Sequence, residues 1–399
     1  MKALLICMCG ALSAAVAQSA TVTVAAGEHD RRNTVVTFAF RDARPGNAIL
    51  RGENRTYDLQ ISGDGTAAFV LDELPKGKQL KLEVVPGGAG GRMTATHDGK
   101  KVKIGQSTST QQASPARPWL EYQAQPSELP REDVKAIFQR GAYLHPIRTL
   151  SGRVITDDYP ANHAHHHGLW WAWTKTEFDG REPDFWNMGA GKGKVDFVAI
   201  PKTWNGPVHA GFVSRHKFVD LTTGQPMTAL NETWEVRAYG NANQGGWIFD
   251  LTSIQECAGP HPLKLPEYHY GGLGFRGHWD WNGKTNTFFL TSEGETDRVK
   301  GHGTRARWCD ISGFVEGEQA GITILCHPDN FRAPQHMRLH PSEPFFCYTP
   351  QQGGNMEIAP GQKYTSRYRF IVHDGPPDKD RNDRIWSDYA HPPVVRVGQ

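Results

Sequence analysis

The 399-residue sequence has no surplus charge of one sign: 44 lysines and arginines stand against 42 aspartates and glutamates, a formal net charge of +2. A nucleic-acid binder carries a basic stripe or patch, so that class of partner is not expected. Cysteine is scarce and scattered. Beyond the first segment only Cys257, Cys309, Cys326 and Cys347 remain, with no CxxC pair, which argues against a cysteine zinc site. In an oxidising compartment these four allow three pairings, and buried free thiols are the alternative. After residue 17 no apolar run approaches the roughly 20 residues of a spanning helix, so membrane insertion is not expected. Helical periodicity is nearly missing too, with a short pattern only over Arg131 to Arg140.

What is present first is an address. Met1-Lys2 leads into the apolar run Ala3 to Ala17, and Ala15-Val16-Ala17 supplies small residues at a cleavage site. Residues 1–17 therefore read as a cleavable signal peptide, and the mature protein is expected in the periplasm or outside the cell. The rest is punctuated by glycine and proline into short β-branched or alternating runs, among them Thr34 to Phe40, Tyr57 to Ile61, Leu80 to Val85 and Arg367 to Val372. Residues 21–105 suit a small immunoglobulin-like sandwich. Residues 106–118, rich in Ser, Thr, Gln and Pro, have the composition of a linker. Residues 119–399 carry many strands with no helices between them, which fits a large antiparallel sandwich and not βαβ units. The fold class expected is all-β.

The densest chemical signal runs from Tyr143 to Trp186. His163, His165, His166 and His167 fall within five residues, and Trp170, Trp171 and Trp173 follow at once. In an extended segment His163, His165 and His167 share one face and His166 takes the other. A divalent metal on His163 and His165 is one reading, with further ligands from elsewhere. The alternative is acid–base or hydrogen-bonding work by neutral imidazoles. Tryptophan rings beside such groups suit the C–H faces and hydroxyls of sugars. Trp170 and Trp171 should point to opposite sides of a strand, one of them into the core. Downstream, His269 and Arg276 lie among glycines, and Arg276 can grip a carboxylate bidentately or serve a buried ion pair. The stretch Asn330 to Glu343, which includes His336, repeats the mixture of His, Arg and Glu. The candidate catalytic groups are thus Tyr143, His163, His165, His166 and His269. The candidate substrate contacts are His145, Arg148, Trp170, Trp173, Arg276 and His336.

Tyr143, His145-Pro146, Ser151-Gly152, Asp158-Tyr159-Pro160, His163, His165-His166 and Gly168-Leu169-Trp170, followed by Arg305, Arg307-Trp308, His327-Pro328 and Asn330, together resemble the PmoA-like family of exported bacterial proteins. The resemblance covers most of residues 118 to 375, and His167 stands where that family usually has arginine. The family label comes from a membrane oxygenase subunit. The strand Pro344 to Thr349, the turn Met356 to Gln362 and the strand Tyr364 to Val372 are similar to the closing elements of galactose mutarotase-like supersandwiches, which implies that fold for the main domain. Mutarotases have a catalytic glutamate before this turn. Here the strand and its exit read PFFCYTPQQ, with no acid after Glu343 before the turn, so simple aldose epimerisation is not implied.

The leading expectation is an exported carbohydrate-active enzyme of lyase or hydrolase type, acting on a glycan or oligosaccharide through histidine-based or metal-assisted chemistry. A non-catalytic glycan-binding protein and a metal-dependent oxidase remain the alternatives.

Overall fold

The computed structural model describes residues 20–398 except 42, 89–91, 108–114, 116, 127 and 241–244. The expected signal segment, 1–17, lies outside them. The chain is all-β as expected, a small N-terminal unit followed by a large antiparallel sandwich.

In the N-terminal unit seven antiparallel strands run in the spatial order Arg31–Ala39, Thr66–Leu74, Thr56–Ile61, Gly46–Arg51, Gln79–Pro86, Thr21–Ala25 and Val394–Gly398. Its own apolar cluster includes Val22, Leu50, Leu59, Phe69 and Leu71. The unit's strand set ends earlier than residue 105. Met93–His97 and Lys101–Gln106 form a hairpin that pairs with Leu120–Gln123 in the next sheet, and most of the expected linker, residues 108–114 and 116, lies outside the described residues.

The sandwich has two eight-stranded sheets. One, which carries the candidate site, runs Met337–Leu339, Phe345–Tyr348, Gly272–Arg276, Leu169–Ala172, Tyr143–Ile147, Leu120–Gln123, Lys101–Gln106 and Met93–His97. The other has longer strands in the order Gly193–Trp204, His209–Asp220, Met227–Tyr239, Gly246–Cys257, Tyr364–Asp374, Glu318–Cys326, Trp308–Val315 and Phe288–Thr291. Strict alternation builds the long-stranded sheet. Ala210, Phe212, Ser214, His216 and Phe218 face inward on one strand, and Leu230, Glu232, Trp234, Val236 and Ala238 on its neighbour.

The polar members of that inward set bond one another. His216 places Nδ1 2.8 Å from Glu232 Oε2 and Nε2 2.7 Å from Tyr122 Oη of the facing sheet. Ser253 and Gln255 also donate to Glu232. A buried polar group without partners costs a few kcal/mol, so this network fixes how the two sheets meet.

α-Helix among the described residues is confined to Arg298–Gly301 and Lys379–Ala390. The expected helix at Arg131 to Arg140 is only a 3₁₀ turn at Ala136–Phe138. The longer helix was not evident from periodicity, because its buried residues include Arg381, Asn382 and Asp388 beside Ile385. Asp388 explains why: it meets Arg31 of the N-terminal unit at 2.8 Å, both side chains buried, and accepts from Thr34 Oγ1. No described helix is long and apolar enough to cross a membrane. All four described cysteines, Cys257, Cys309, Cys326 and Cys347, are free thiols.

Candidate functional site

The histidine segment is a turn, which breaks the two-residue alternation expected of it. Asp158 and His167 form an antiparallel bridge at its base. Inside, the His163 N–H bonds the Pro160 carbonyl at 3.0 Å and the His166 N–H bonds the His163 carbonyl at 2.8 Å, two successive i to i+3 closures. His163, His165 and His166 therefore gather on one side, while His167 turns inward. The loop re-enters the sheet at Gly168, whose φ of +43° and closeness to the Leu144 carbonyl (2.1 Å from where a Cβ would sit) require glycine.

The three histidines line an open cleft of about 170 Å³ on the outer face of their sheet. Trp186, Tyr270 and Phe345 supply rings to its wall; Asn187, His269, Arg338 and His340 supply polar groups. His163 stacks on His166 with ring centres 4.8 Å apart and planes 16° apart, and His166 rests on Phe345 at 4.9 Å and Trp170 at 5.1 Å. Trp170 and Trp171 do point to opposite sides: Trp171 packs on Tyr368 of the long-stranded sheet, Trp170 on Trp186 under the cleft. Gly274 lies against that floor, since a Cβ there would be 2.6 Å from Trp186 and 3.0 Å from Trp170.

Burial sets the charges. It pushes His165 down to about 4, helped by neighbouring His163 and His167, and pushes His340 down to about 4. His166 is driven well below the ordinary imidazole value, again chiefly by burial. These rings are neutral at pH 7. His340 Nδ1 accepts from the Ser342 N–H at 3.3 Å, which leaves its proton on Nε2. Burial raises Tyr270 to about 12 and keeps it a phenol. For Glu343 burial acts upward, but His163 and Arg276 outweigh it and hold the carboxylate down at about 2. Arg338 sits in the cleft 3.2 Å from His302 Nε2, with no carboxylate bonded to it among the described residues.

Several expected site residues prove to be structural. Arg276 is fully buried: Nη1 bonds Glu343 Oε2 at 2.5 Å and Nη2 bonds Asn162 and Asn282, so it serves an ion pair and offers no free fork to a substrate. Tyr143 is buried and donates to Asp158 Oδ2 at 2.8 Å, beside His167, whose Nδ1 is 2.7 Å from Asp158 Oδ1. Burial removes Tyr143 from any proton transfer in the cleft. Trp173 is in the core and donates to Gln255 Oε1, and Trp170 is sealed beneath His166, so neither can stack on a sugar. Arg148 is committed to Glu121 at 3.1 Å. His145, 2.9 Å from Thr156 Oγ1, does not line the cleft, nor does His336, near Arg332 and Gly353. Of the expected catalytic groups, the cleft brings together His163, His165, His166 and His269. Its other polar lining includes Asn187, Tyr270 and Arg338, which carried no signal stronger than residue type.

The metal-capable grouping also differs from the His163–His165 pair. Ligand atoms of His163, His166 and Glu343 all lie within 4.8 Å of one another, and His165 is outside the group. A second constellation, Ser214, His216 and Glu232, has the spacing of a nucleophile, base and acid, with Ser214 Oγ 3.0 Å from His216 Nε2. It is sealed between the sheets, and no substrate reaches it.

The fold and cleft define an antiparallel β-sandwich protein with a histidine-lined pocket on its outer face. The chain belongs to DUF6807, a family of unknown function, whose model matches residues 109–387. No comparison supports the PmoA-like resemblance carried by the histidine signature. No curated protein matches the sequence. Solved structures to which the chain is similar include an α-mannosidase from Enterococcus faecalis, at 9% identity and a TM-score of 0.45, over 96% of this chain and 46% of that one. Another is a variant of the GH36 α-galactosidase AgaA from Geobacillus stearothermophilus in complex with raffinose, at 12% identity and a TM-score of 0.22, over 83% and 41%. The chain spans less than half the length of either.

Proposed function

We propose that the protein is an exported carbohydrate-active enzyme that cleaves a glycan next to an acidic sugar, by elimination. The observation that carries this reading is Arg338, a guanidinium with no carboxylate partner among the described residues, in a cleft that also holds imidazoles and a phenol. The rings of Trp186, Tyr270 and Phe345 give such a cleft apolar wall, and the imidazoles and Asn187 give it groups that bond hydroxyls. Hydrolysis generally needs two carboxylates flanking the bond. Among the residues around the cleft Glu343 is bound to Arg276 and held ionised, which makes it unfit as a proton donor.

In this reading Arg338 binds the sugar carboxylate and stabilises the charge that develops on it. His269, the most open of the cleft imidazoles, removes the proton next to that carboxylate; His165, at about 4, is too weak a base and accepts hydrogen bonds instead. Asn187 Nδ2 donates to Tyr270 Oη at 3.0 Å, which leaves the phenolic proton available to the departing oxygen.

The test is ultraviolet absorbance of the unsaturated product across a panel of uronate-containing and neutral oligosaccharides. Absorbance should grow only with uronates, His269→Ala should abolish it while leaving affinity in place, and Arg338→Met should weaken binding. Release of reducing ends from neutral glycans without absorbance would refute elimination. Binding without turnover of any oligosaccharide would favour a glycan-binding protein.

A further inference from the structure

We infer that His163, His166 and Glu343 form a binding site for one divalent first-row transition-metal ion at the edge of the cleft. The use of the ion in catalysis rests on the reading above; its binding does not.

Three observations converge. The ligand atoms of the three residues lie within 4.8 Å of one another. Around a tetrahedral ion with bonds of about 2.0–2.1 Å such atoms stand about 3.4 Å apart, so the ion needs only a small inward movement of the two rings. His163 Nδ1 and Glu343 Oε2 are already 3.0 Å apart, yet off the angle of a hydrogen bond. Third, His166 is buried, and its Nδ1 meets no hydrogen-bond partner among the described residues. A buried polar nitrogen is normally satisfied, and an ion or its bound water supplies the missing partner.

The surroundings fit this use. Arg276 bonds Glu343 Oε2 and is itself held by Asn162 and Asn282, so the carboxylate is fixed in place, and no described residue hydrogen-bonds its other oxygen, Oε1. Trp170 and Phe345 fix the plane of His166 from below. Two imidazoles and one carboxylate suit zinc or iron(II), and leave positions open for water or substrate. They do not suit magnesium or calcium, which take oxygen ligands, and the thiols that would favour copper(I) lie outside the cleft. His340 Nε2–H stands by as a donor to a group bound on the ion, its ring 6.2 Å from that of His163.

The experiment uses untagged full-length mature protein stripped with chelator, then titrated calorimetrically with Zn²⁺, Co²⁺ and Mg²⁺. Zn²⁺ and Co²⁺ should each bind at one equivalent per chain, and Co²⁺ should give visible d–d absorption of nitrogen and oxygen ligation. Mg²⁺ should not bind. His163→Ala, at a half-exposed position that leaves the Arg276–Glu343 pair intact, should weaken Zn²⁺ by at least about tenfold. His269→Ala, elsewhere in the cleft, should leave it unchanged. Absence of stoichiometric Zn²⁺ or Co²⁺, equal affinity in His163→Ala, or equal binding of Mg²⁺ would overturn the site. Metal bound without elimination overturns only the proposed reaction; elimination by a protein that binds no metal overturns only the site.

Discussion

Acid should loosen the junction between the N-terminal unit and the sandwich through a single histidine. His209 opens a long strand directly beneath the side chain of Gln60, which bonds the backbone of Val208 and His209. Its Nδ1 accepts from Trp204 Nε1 at 2.9 Å, so the ring is neutral and has no free acceptor for a proton. Burial, then the positive charge of Arg237, pushes it down to about 3. The folded value lies below the unfolded value of about 6.5, so the unfolded chain binds the extra proton first and stability falls as pH drops through that window. Linkage puts the loss at about 2 kcal/mol at pH 5 and about 3 kcal/mol at pH 4, with none above neutrality. Urea denaturation at pH 7, 6, 5 and 4 on wild type and His209→Gln measures it. The variant should be less stable at pH 7, because Trp204 loses its acceptor, but its decline between pH 7 and pH 4 should be smaller by about 3 kcal/mol. Two profiles that fall in parallel would refute the assignment of the acid response to His209.

Two further outcomes test the packing on which the cleft rests. Gly274→Ala drives a methyl into Trp186 and Trp170 and should cost about 1–3 kcal/mol, read as a lower Tm with altered tryptophan fluorescence; an unchanged Tm would mean the floor is loose. Asp388→Asn leaves Arg31 buried without its anion and should cost about 3–5 kcal/mol in urea, whereas a loss below about 1 kcal/mol would show the pair to be solvated.

The strands were legible because β-branched alternation is local information. Tyr57 to Ile61 and Arg367 to Val372 read as strands and lie in strands. Partnership was not legible: nothing in Met93 to Gln106 says that this hairpin joins the second sheet and leaves the first. In the site, composition located the cleft at the histidine run and at His269, but parity failed where the run turns twice within seven residues. Arg276 and Arg338 are the same residue type in similar company, and only the fold shows that the first is spent on Glu343 while the second faces open space. The tryptophans misled for a related reason: a ring that supports a pocket from beneath has the same sequence signature as one that lines it.

The pairing of Thr21–Ala25 with Val394–Gly398 sets an order of assembly. The two strands are separated by roughly 370 residues, so the N-terminal sheet cannot be completed until the chain has been synthesised through residue 398. Until then Thr21–Ala25 presents a bare edge that can recruit the wrong strand, its own or a neighbour's. A polypeptide interrupted anywhere before residue 394 therefore carries an unfinished border at its beginning, a mark that quality-control proteases or holdases can read far from the break itself.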